Sequence, residues 1–424
     1  MVGQFIQHRL TERFPDGAVQ RVEVLRPPDA PGQLLIRIVI AGDGSGQALT
    51  AWTEANQAAM AELRQEISRR LPSARVLEFG FDGGDAPAIT LVDDGSLAAE
   101  QLSGREIVTK ALALLRENYV FPDVAERAAV AVEARLEAGE YDNLDEIALT
   151  GLLTEHLEEV CHDRHLRVRV GGGPMRTGQP EPGGPRPGRP GPGRPRPGRI
   201  DNFGIRRVEL LDGNVGYLDL RRMPMAENAA PAIAAAMELV AGTYALLIDL
   251  RRNGGGHPSG VIFWCSYLVE EDTHFNNIFD AETGETRQFW SLSYVPGTRY
   301  VNRPVYVLTS GRTFSGAEEF AYNLQVQGRA EIIGETTGGG AHPTRPFGIS
   351  PAVRIGIPFA RSINPVTGTN WEGTGVVPDT AVAADDAYDV AYAKALRHVL
   401  SLADVPPPIA AEARELLPTL TRSP

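Results

Sequence analysis

The sequence passes from a strand pattern to a helix pattern within one stretch, Thr309-Ser310-Gly311-Arg312-Thr313-Phe314-Ser315-Gly316-Ala317-Glu318-Glu319-Phe320. The preceding run from Val305 to Leu308 is β-branched, aromatic and aliphatic, which predicts a buried strand. Apolar residues then recur at helical spacing, namely Ala317, Phe320, Ala321 and Leu324. Ser315 is therefore predicted at a strand-to-helix turn, where the free N–H groups of the first helical turn stabilise nearby negative charge. This position suits a nucleophilic hydroxyl.

The same serine has a purely structural interpretation. Ser315 and Glu318 fit the Ser-x-x-Glu capping box, which does no more than start a helix. On this stretch alone, capping is the simpler explanation. The function therefore has to be decided by the rest of the chain.

Composition excludes several classes of function. The chain has 424 residues, 42% of them hydrophobic, and a net charge of −13, which argues against nucleic acid or an anionic membrane as the main partner. Its two cysteines, Cys161 and Cys265, imply no disulfide framework. The first residues lack the apolar core of a signal peptide, and no apolar run reaches membrane-spanning length. We expect a cytoplasmic protein without metal or cofactor.

The chain is predicted to contain five segments in order. Residues 1–95 alternate short strands with a helix from Ala51 to Leu71, so they predict a small α+β module of unknown role. Residues 96–170 predict a helical subdomain. Residues 171–199 are rich in Pro, Gly and Arg and predict a flexible linker, since they offer nothing to bury. The core is predicted over residues 200–404, with a mobile tail at 405–424.

Strand and helix patterns alternate in the core, which predicts an α/β fold with parallel strand pairing. One strand, Ala245 to Leu250, runs into the glycine loop Asn253-Gly254-Gly255-Gly256 before a helix from Ser259 to Val269. The loop lacks the spacing of a phosphate-binding motif. Successive glycines also permit close backbone approach with N–H groups left free, as an oxyanion hole requires. Both this loop and Ser315 are predicted at carboxyl ends of core strands, where chemistry is usually placed.

Four motifs follow one another in this core. They are Leu247-Ile248-Asp249-Leu250-Arg251-Arg252-Asn253-Gly254-Gly255-Gly256, Thr313-Phe314-Ser315-Gly316-Ala317-Glu318-Glu319-Phe320, Gly334-Glu335-Thr336-Thr337-Gly338-Gly339-Gly340-Ala341-His342 and Asn370-Trp371-Glu372-Gly373-Thr374-Gly375-Val376-Val377-Pro378-Asp379. Together they resemble the S41 serine peptidases, a family of tail-specific proteases, the tricorn core protease and interphotoreceptor retinoid-binding protein. The resemblance covers roughly residues 100–170 and 200–400. It implies a crotonase/ClpP-like α/β core with a helical N-terminal subdomain.

The resemblance also assigns candidate site residues. Ser315 matches the nucleophile, and the lysine that tail-specific members pair with it is replaced by Gly340. Because Lys110 and Lys394 are the only lysines, both in predicted terminal helices, a Ser–Lys dyad is not expected. The chain resembles instead the tricorn and retinoid-binding branch.

In that branch a histidine before the core acts as base, and a glutamate orients it. The matching residues here are His165 and Glu372, although Arg164 stands where tricorn has a relay serine. A serine needs such a base within hydrogen-bond reach, and the base needs a fixed tautomer. His342, after the glycine run, is the alternative base.

The sequence therefore predicts a serine peptidase that cleaves a peptide or protein substrate through an acyl-enzyme. The N–H groups of Gly255 or Gly256 and of Gly316 are the predicted oxyanion hole. Two alternatives stay open: a non-catalytic carrier of apolar ligands, like the retinoid-binding relatives, and a hydrolase of small acyl substrates that uses the same Ser–His site. A homo-oligomer is possible in each case.

Overall fold

The structure of this protein is a computed structural model. It describes residues 19–25, 34–40, 74–81, 89–92, 102–171, 201–350 and 352–420. The chain divides into two compact units, Met1–Leu102 and Ser103–Pro424. The predicted linker at 171–199 falls outside the described residues, except for Gly171. In the described parts of the chain, no helix combines the length and the apolar character needed to cross a membrane.

The first unit contains a four-stranded sheet. Its strands are β1 (Val19–Leu25), β2 (Leu34–Ile40), β3 (Ala74–Phe81) and β4 (Ile89–Val92), in that order across the sheet. The pairing of β2 with β3 is parallel, whereas the two outer pairings are antiparallel. Short strands are thus found in this unit, as its sequence pattern predicts, and the predicted helix from Ala51 to Leu71 lies outside the described residues.

Three helices open the second unit: α1 (Gly104–Asn118), α2 (Pro122–Glu137) and α3 (Glu146–Cys161). The helix α3 ends because His162 adopts a left-handed conformation, with φ 51° and ψ 29°. This sharp end turns the chain into a short segment, residues 163–166, that leads to β5 (Arg167–Val170). The segment carries Asp163 and His165 to the site.

A six-stranded sheet forms the centre of the second unit, in the order β16-β12-β11-β8-β7-β6. Its strands are β6 (Ile205–Leu211), β7 (Val215–Leu220), β8 (Ala245–Asp249), β11 (Val305–Thr309), β12 (Glu331–Gly334) and β16 (Thr380–Ala381). All pairings are parallel except that of β6 with β7. The predicted α/β class with parallel pairing is therefore confirmed.

Helices cover both faces of this sheet, so its central strands are buried throughout. The helices α4 (Ala226–Val240), α5 (Pro258–Ser266) and α6 (Gly316–Val326) pack on one face. The helices α7 (Ala387–Ser401) and α8 (Pro407–Leu420) pack on the other. Alternate residues of β8 divide between the two cores, as a strand period of two requires.

The predicted mobile tail is wrong for Pro407–Leu420, because these residues form α8. Apolar side chains at helical spacing pack against the core, and Ala413 among them is fully buried. Glu412 also accepts a hydrogen bond from the Gly213 N–H at 3.0 Å. Pro407 and Pro408 lie at the start of the helix, where proline is tolerated, and Pro418 lies in its last turn.

Two small sheets complete the second unit. One joins β13 (Thr344–Gly348), β14 (Val353–Pro358) and β5, and so ties the segment after α3 to the core. The other joins β10 (Thr286–Trp290), β9 (His274–Asp280) and β15 (Ala360–Ile363). Both lead directly into site loops, since β13 follows His342 and β15 precedes the Glu372 turn.

Candidate active site

Ser315 lies at the turn between β11 and α6, as predicted, and is the N-cap residue of α6. Its backbone has φ 54° and ψ −124°, a conformation that L-residues rarely adopt. Such a conformation costs about 1–3 kcal/mol and persists only where the surrounding structure holds it. The half-buried serine is therefore placed at a strained strand-to-helix turn, a position known from hydrolase nucleophiles.

The carboxylate of Glu318 holds this turn in place. Glu318 has no solvent exposure and accepts four hydrogen bonds. The donors are the N–H of Ser315 at 2.7 Å, the hydroxyl of Thr337 at 2.5 Å, the N–H of Gly339 at 2.6 Å and the N–H of Gly340 at 2.9 Å. Burial raises the pKa of Glu318, and these donors oppose the rise. The capping interpretation is thus correct for Glu318, but its carboxylate also joins the nucleophile turn to the glycine run.

The glycine loop after β8 lies directly against the nucleophile turn. Gly255 has φ +98°, and a Cβ atom built on it would lie 2.7 Å from the Cβ of Ser315 and 2.8 Å from the N of Gly316. Only glycine allows this approach. The predicted oxyanion role does not fit Gly255, however, because its N–H already donates to Asn253 Oδ1 at 2.9 Å.

Two other backbone N–H groups remain for an oxyanion. Among the described residues, no acceptor is found for the N–H of Gly256 or for that of Gly316. The two glycines are adjacent, since a Cβ atom built on Gly316 would lie 3.1 Å from the N of Gly256. Gly316 is also the first residue of α6, where the helix dipole favours negative charge.

His165 is brought to the same place from the segment after α3. Its ring packs against Phe314, the residue before Ser315, with ring centroids 4.6 Å apart and planes tilted by 39°. Its backbone N–H donates to Asp163 Oδ1 at 3.0 Å, and its Nδ1 is buried without a hydrogen-bond partner in the described part of the chain. Burial lowers the pKa of His165 to about 4, against the influence of Asp163. The imidazole is therefore neutral at pH 7.

Gly340 explains why a lysine cannot serve as the base here. A Cβ atom built on Gly340 would lie 2.3 Å from Cζ of Phe314 and 2.6 Å from Cε1 of His165. Any side chain at this position would collide with the two rings. The rings of His165 and Phe314 thus occupy the space into which a lysine at position 340 would extend. Lys394, on α7, is instead paired with Glu331, with its Nζ 2.7 Å from Glu331 Oε1.

Glu372 approaches His165 without a direct hydrogen bond between their side chains. Its Oε1 accepts the N–H of Arg164 at 3.1 Å, and its Oε2 accepts the N–H of Ala341 at 2.5 Å. Burial raises the pKa of Glu372 to about 7, and Asp163 adds to this rise, whereas His342 lowers it. Arg164 therefore contributes a backbone donor to this carboxylate, and its side chain does not.

His342 lies behind His165 in a buried network. Its Nδ1 is 2.7 Å from Asp163 Oδ2 and 3.5 Å from Glu372 Oε2, and the Tyr119 hydroxyl donates to the same Asp163 oxygen at 3.1 Å. One carboxylate oxygen of Asp163, one carboxylate oxygen of Glu372 and one ring nitrogen of His165 lie within 4.8 Å of one another. Both carboxylates already accept hydrogen bonds on each oxygen, so this is a hydrogen-bonded network rather than a metal centre.

The sequence analysis missed three residues of the site. Asp163 and Phe314 lie beside motif residues, but neither an aspartate nor a phenylalanine there signals a contact with a histidine. Glu318 was recognised as a cap only. Its distant partners in the glycine run follow from the fold, which brings residues 318 and 340 together.

A strained serine with free backbone N–H groups and a half-buried histidine beside it define a serine-type hydrolase site. The comparison with protein families agrees. The model of Peptidase family S41 matches residues 214–382, and the model of the N-terminal domain of Peptidase_S41 in eukaryotic IRBP matches residues 100–193. Together they match more than half of the chain. The chain belongs to peptidase family S41, and it is a serine-type peptidase.

Solved structures that the chain resembles include other peptidases. The photosystem II D1 C-terminal processing protease is 16% identical over 67% of this chain and 94% of that chain, with a TM-score of 0.41. The tricorn protease is 14% identical over 79% of this chain and 38% of that chain, with a TM-score of 0.43. A lipoprotein from Streptococcus agalactiae is 13% identical over 66% of this chain and 92% of that chain, with a TM-score of 0.44. Family membership rests on the family models.

Proposed function

We propose that this peptidase hydrolyses peptide bonds through an acyl-enzyme, with Ser315 as nucleophile, His165 as general base and Glu372 as the residue that orients His165. The observation that carries the proposal is the packing of the His165 ring on Phe314, beside the strained Ser315 turn. Neutral His165 can accept a proton. Gly340 lies against the rings of His165 and Phe314, so position 340 has no room for the side chain of another base.

Acylation begins when Ser315 Oγ attacks the carbonyl carbon of the scissile peptide bond. His165 takes the hydroxyl proton as the new C–O bond forms, and the carbonyl oxygen becomes an oxyanion. The N–H groups of Gly256 and Gly316 donate to this oxyanion, and the start of α6 favours its charge. The imidazolium then gives its proton to the leaving amine, the C–N bond breaks, and the acyl group stays on Ser315.

Deacylation repeats these steps with water. His165 takes a proton from the water molecule, whose oxygen attacks the acyl carbon, and the same two N–H groups hold the second oxyanion. The proton returns to Ser315 Oγ as the ester bond breaks, which releases the carboxylic acid. Asp163 and Glu372 stabilise the imidazolium in both halves, since both carboxylates lie within 4.8 Å of a His165 ring nitrogen. A bridging water spans such a distance.

A fluorophosphonate probe tests the nucleophile, because it reacts with an activated serine and needs no knowledge of the natural substrate. We expect the parent protein to be labelled and Ser315→Ala to stay unlabelled. The matched control is Ser401→Ala, which removes an exposed serine at the end of α7 and should leave labelling unchanged. An unlabelled parent with a folded melting profile would contradict the proposal and favour a carrier of apolar ligands.

Substrate class is tested separately with a library of quenched fluorescent peptides and a set of small activated esters. Cleavage of peptides that is lost in Ser315→Ala supports the peptidase. Labelling with cleavage of esters alone would instead support the hydrolase of small acyl substrates. Mass spectrometry of a trapped intermediate should place the acyl group on the tryptic peptide that contains Ser315.

A further inference from the structure

We propose that His342 is a positioning residue of this site, which rests on the proposed function: its buried N–H lies between the carboxylates of Asp163 and Glu372 and favours the ionised form of Glu372, so that Glu372 can orient His165. His342 is thus neither the base nor an ordinary core histidine.

The geometry around His342 is that of a clamp between two acids. Its Nδ1 is 2.7 Å from Asp163 Oδ2 and 3.5 Å from Glu372 Oε2, so both carboxylates face one nitrogen. A carboxylate only accepts, and therefore this nitrogen carries the proton. The edge-to-face contact of Phe121, with centroids 5.4 Å apart, holds the ring from its other side. His342 is 6% exposed, which leaves little freedom to swing toward Ser315.

Two acids at this depth repel each other unless a donor or a cation separates them. Asp163 is 1% exposed and the Glu372 side chain 12%. When two buried carboxylates share a site, one of them tends to take up a proton. Burial raises the pKa of Glu372, the Asp163 charge adds to this rise, and the His342 ring opposes it, in agreement with the clamp. If His342 is lost, Glu372 becomes the acid that protonates.

A protonated Glu372 cannot stabilise the imidazolium of His165, which links the clamp to catalysis. The N–H groups of Arg164 and Ala341 also favour the ionised form of Glu372, whereas burial and the Asp163 charge raise its pKa. His342 is therefore a further group, and the one side chain placed between the two acids, that favours the charge of the orienting carboxylate.

Other charged or titratable groups face the network around His342, and the pH at which each of them titrates has to be compared with that of Glu372. They are Asp163, His165, Tyr119, Cys161, Arg167 and, above the Phe121 ring, Arg361. Burial raises the pKa of Tyr119 far above its usual range and that of Cys161 to about 12, so both stay neutral in an ordinary assay. Burial lowers the pKa of His165 to about 4, so His165 titrates below the range in question.

His342→Phe is the decisive variant, because phenylalanine keeps an aromatic ring against Phe121 and has no N–H to donate. We expect the acidic limb of the fluorophosphonate labelling rate against pH to move upward by about one to two pH units, the usual effect of losing a hydrogen bond to a carboxylate. Labelling at pH 7 should then fall about fivefold or more, and it should lie within about twofold of the parent rate near pH 9. Glu372→Gln should be slow at every pH.

The matched control is His156→Phe. His156 is buried to a similar extent, 7% exposed, and its Nδ1 contacts the Tyr141 hydroxyl at 2.7 Å in the helical region. This variant should lose stability without moving the pH profile. His342→Leu serves as a second variant if the phenylalanine protein melts below the assay temperature.

Each outcome decides the question. An unshifted profile for His342→Phe would leave His342 with a packing role only, and loss of labelling at every pH would make it the base. Failure of the proposed function would show in the parent alone, as an unlabelled Ser315. Infrared difference spectra then still test the clamp: at pH 8 a protonated carboxyl band should be stronger in His342→Phe than in the parent, and it should vanish in His342→Phe with Glu372→Gln. Absence of that band would overturn the inference.

Discussion

The two sides of the site are held together in different ways. On the nucleophile side, Ser315 and Gly316 are fixed by backbone contacts with the glycine loop, and Glu318 accepts four donors without a polar atom left over. On the base side, His165 is held by ring packing and by its own backbone, and its Nδ1 has no partner among the described residues. The polar groups of the nucleophile side have hydrogen-bond partners that fix them in place, whereas on the base side a buried ring nitrogen of His165 has none among the described residues.

This difference separates two requirements of the chemistry. The oxyanion and the nucleophile need fixed positions, which hydrogen-bonded backbone supplies without titrating. The base has to gain and lose a proton, so its neighbours must respond to charge. Asp163, His342 and Glu372, beside the proposed base, are all titratable groups, whereas the nucleophile side contains one carboxylate, Glu318, that accepts four hydrogen bonds. The nucleophile side should tolerate changes of pH better than the base side.

Replacement of His165 tests the difference between the two sides of the site most directly. We expect His165→Ala to reduce the labelling rate of Ser315 by roughly 10⁴-fold or more, about as far as loss of any member of a catalytic unit. The melting temperature should change little in comparison, since the ring is only partly buried. Fluorophosphonate kinetics and thermal melting measure the two effects. A decrease of less than tenfold would show that His165 only covers the site, and the base would have to be sought elsewhere.

The nucleophile side could be predicted from the sequence because its signals are local. The strand before Ser315, the helix after it and the glycine loop at the next strand end all follow from spacing and from parallel pairing. Two features of this side could not be predicted: the strained φ of Ser315 and the hydrogen bond that the Gly255 N–H donates to Asn253 Oδ1. Both depend on how two turns meet in the fold.

The base side could be predicted only through a resemblance. His165, His342 and Glu372 are far apart in sequence, and no periodicity links them. The network through Asp163 and Tyr119 depends on the end of α3 at His162 and on the pairing of β5 with β14. Proline content also misled the prediction for the tail, where the apolar spacing of α8 decided the structure. Long-range contacts of this kind leave no local signal.

Gly340 touches both sides and sharpens the comparison. Its N–H binds Glu318, and its Cα faces the rings of His165 and Phe314. We expect Gly340→Ala to displace the rings, to lower stability by about 1–3 kcal/mol through overpacking, and to slow labelling by roughly 10² through misplacement of the base. Denaturant unfolding and labelling kinetics measure the two effects.

The control for this substitution is Gly348→Ala on β13, where a Cβ atom built on the glycine meets nothing within 4 Å. It should leave both quantities near the parent values. If Gly340→Ala labels Ser315 within twofold of the parent, the base does not depend on the packing of the two rings, and its position would have to be set by hydrogen bonds alone.

The smallest expected effect concerns the strain stored at Ser315. Ser315→Ala and Ser315→Gly both remove the hydroxyl, but only glycine relaxes at φ 54°. We expect the glycine variant to be more stable than the alanine variant by about 1 kcal/mol, because alanine at positive φ is disfavoured by more than glycine loses in chain entropy. At Ser401, the last residue of α7, φ is not positive, so glycine should give no gain over alanine. Paired urea unfolding of the four variants measures both differences. Equal stabilities at position 315 would mean that the turn relaxes freely, and the rigidity assigned to the nucleophile side would then come from Glu318 and the glycine loop without any stored strain.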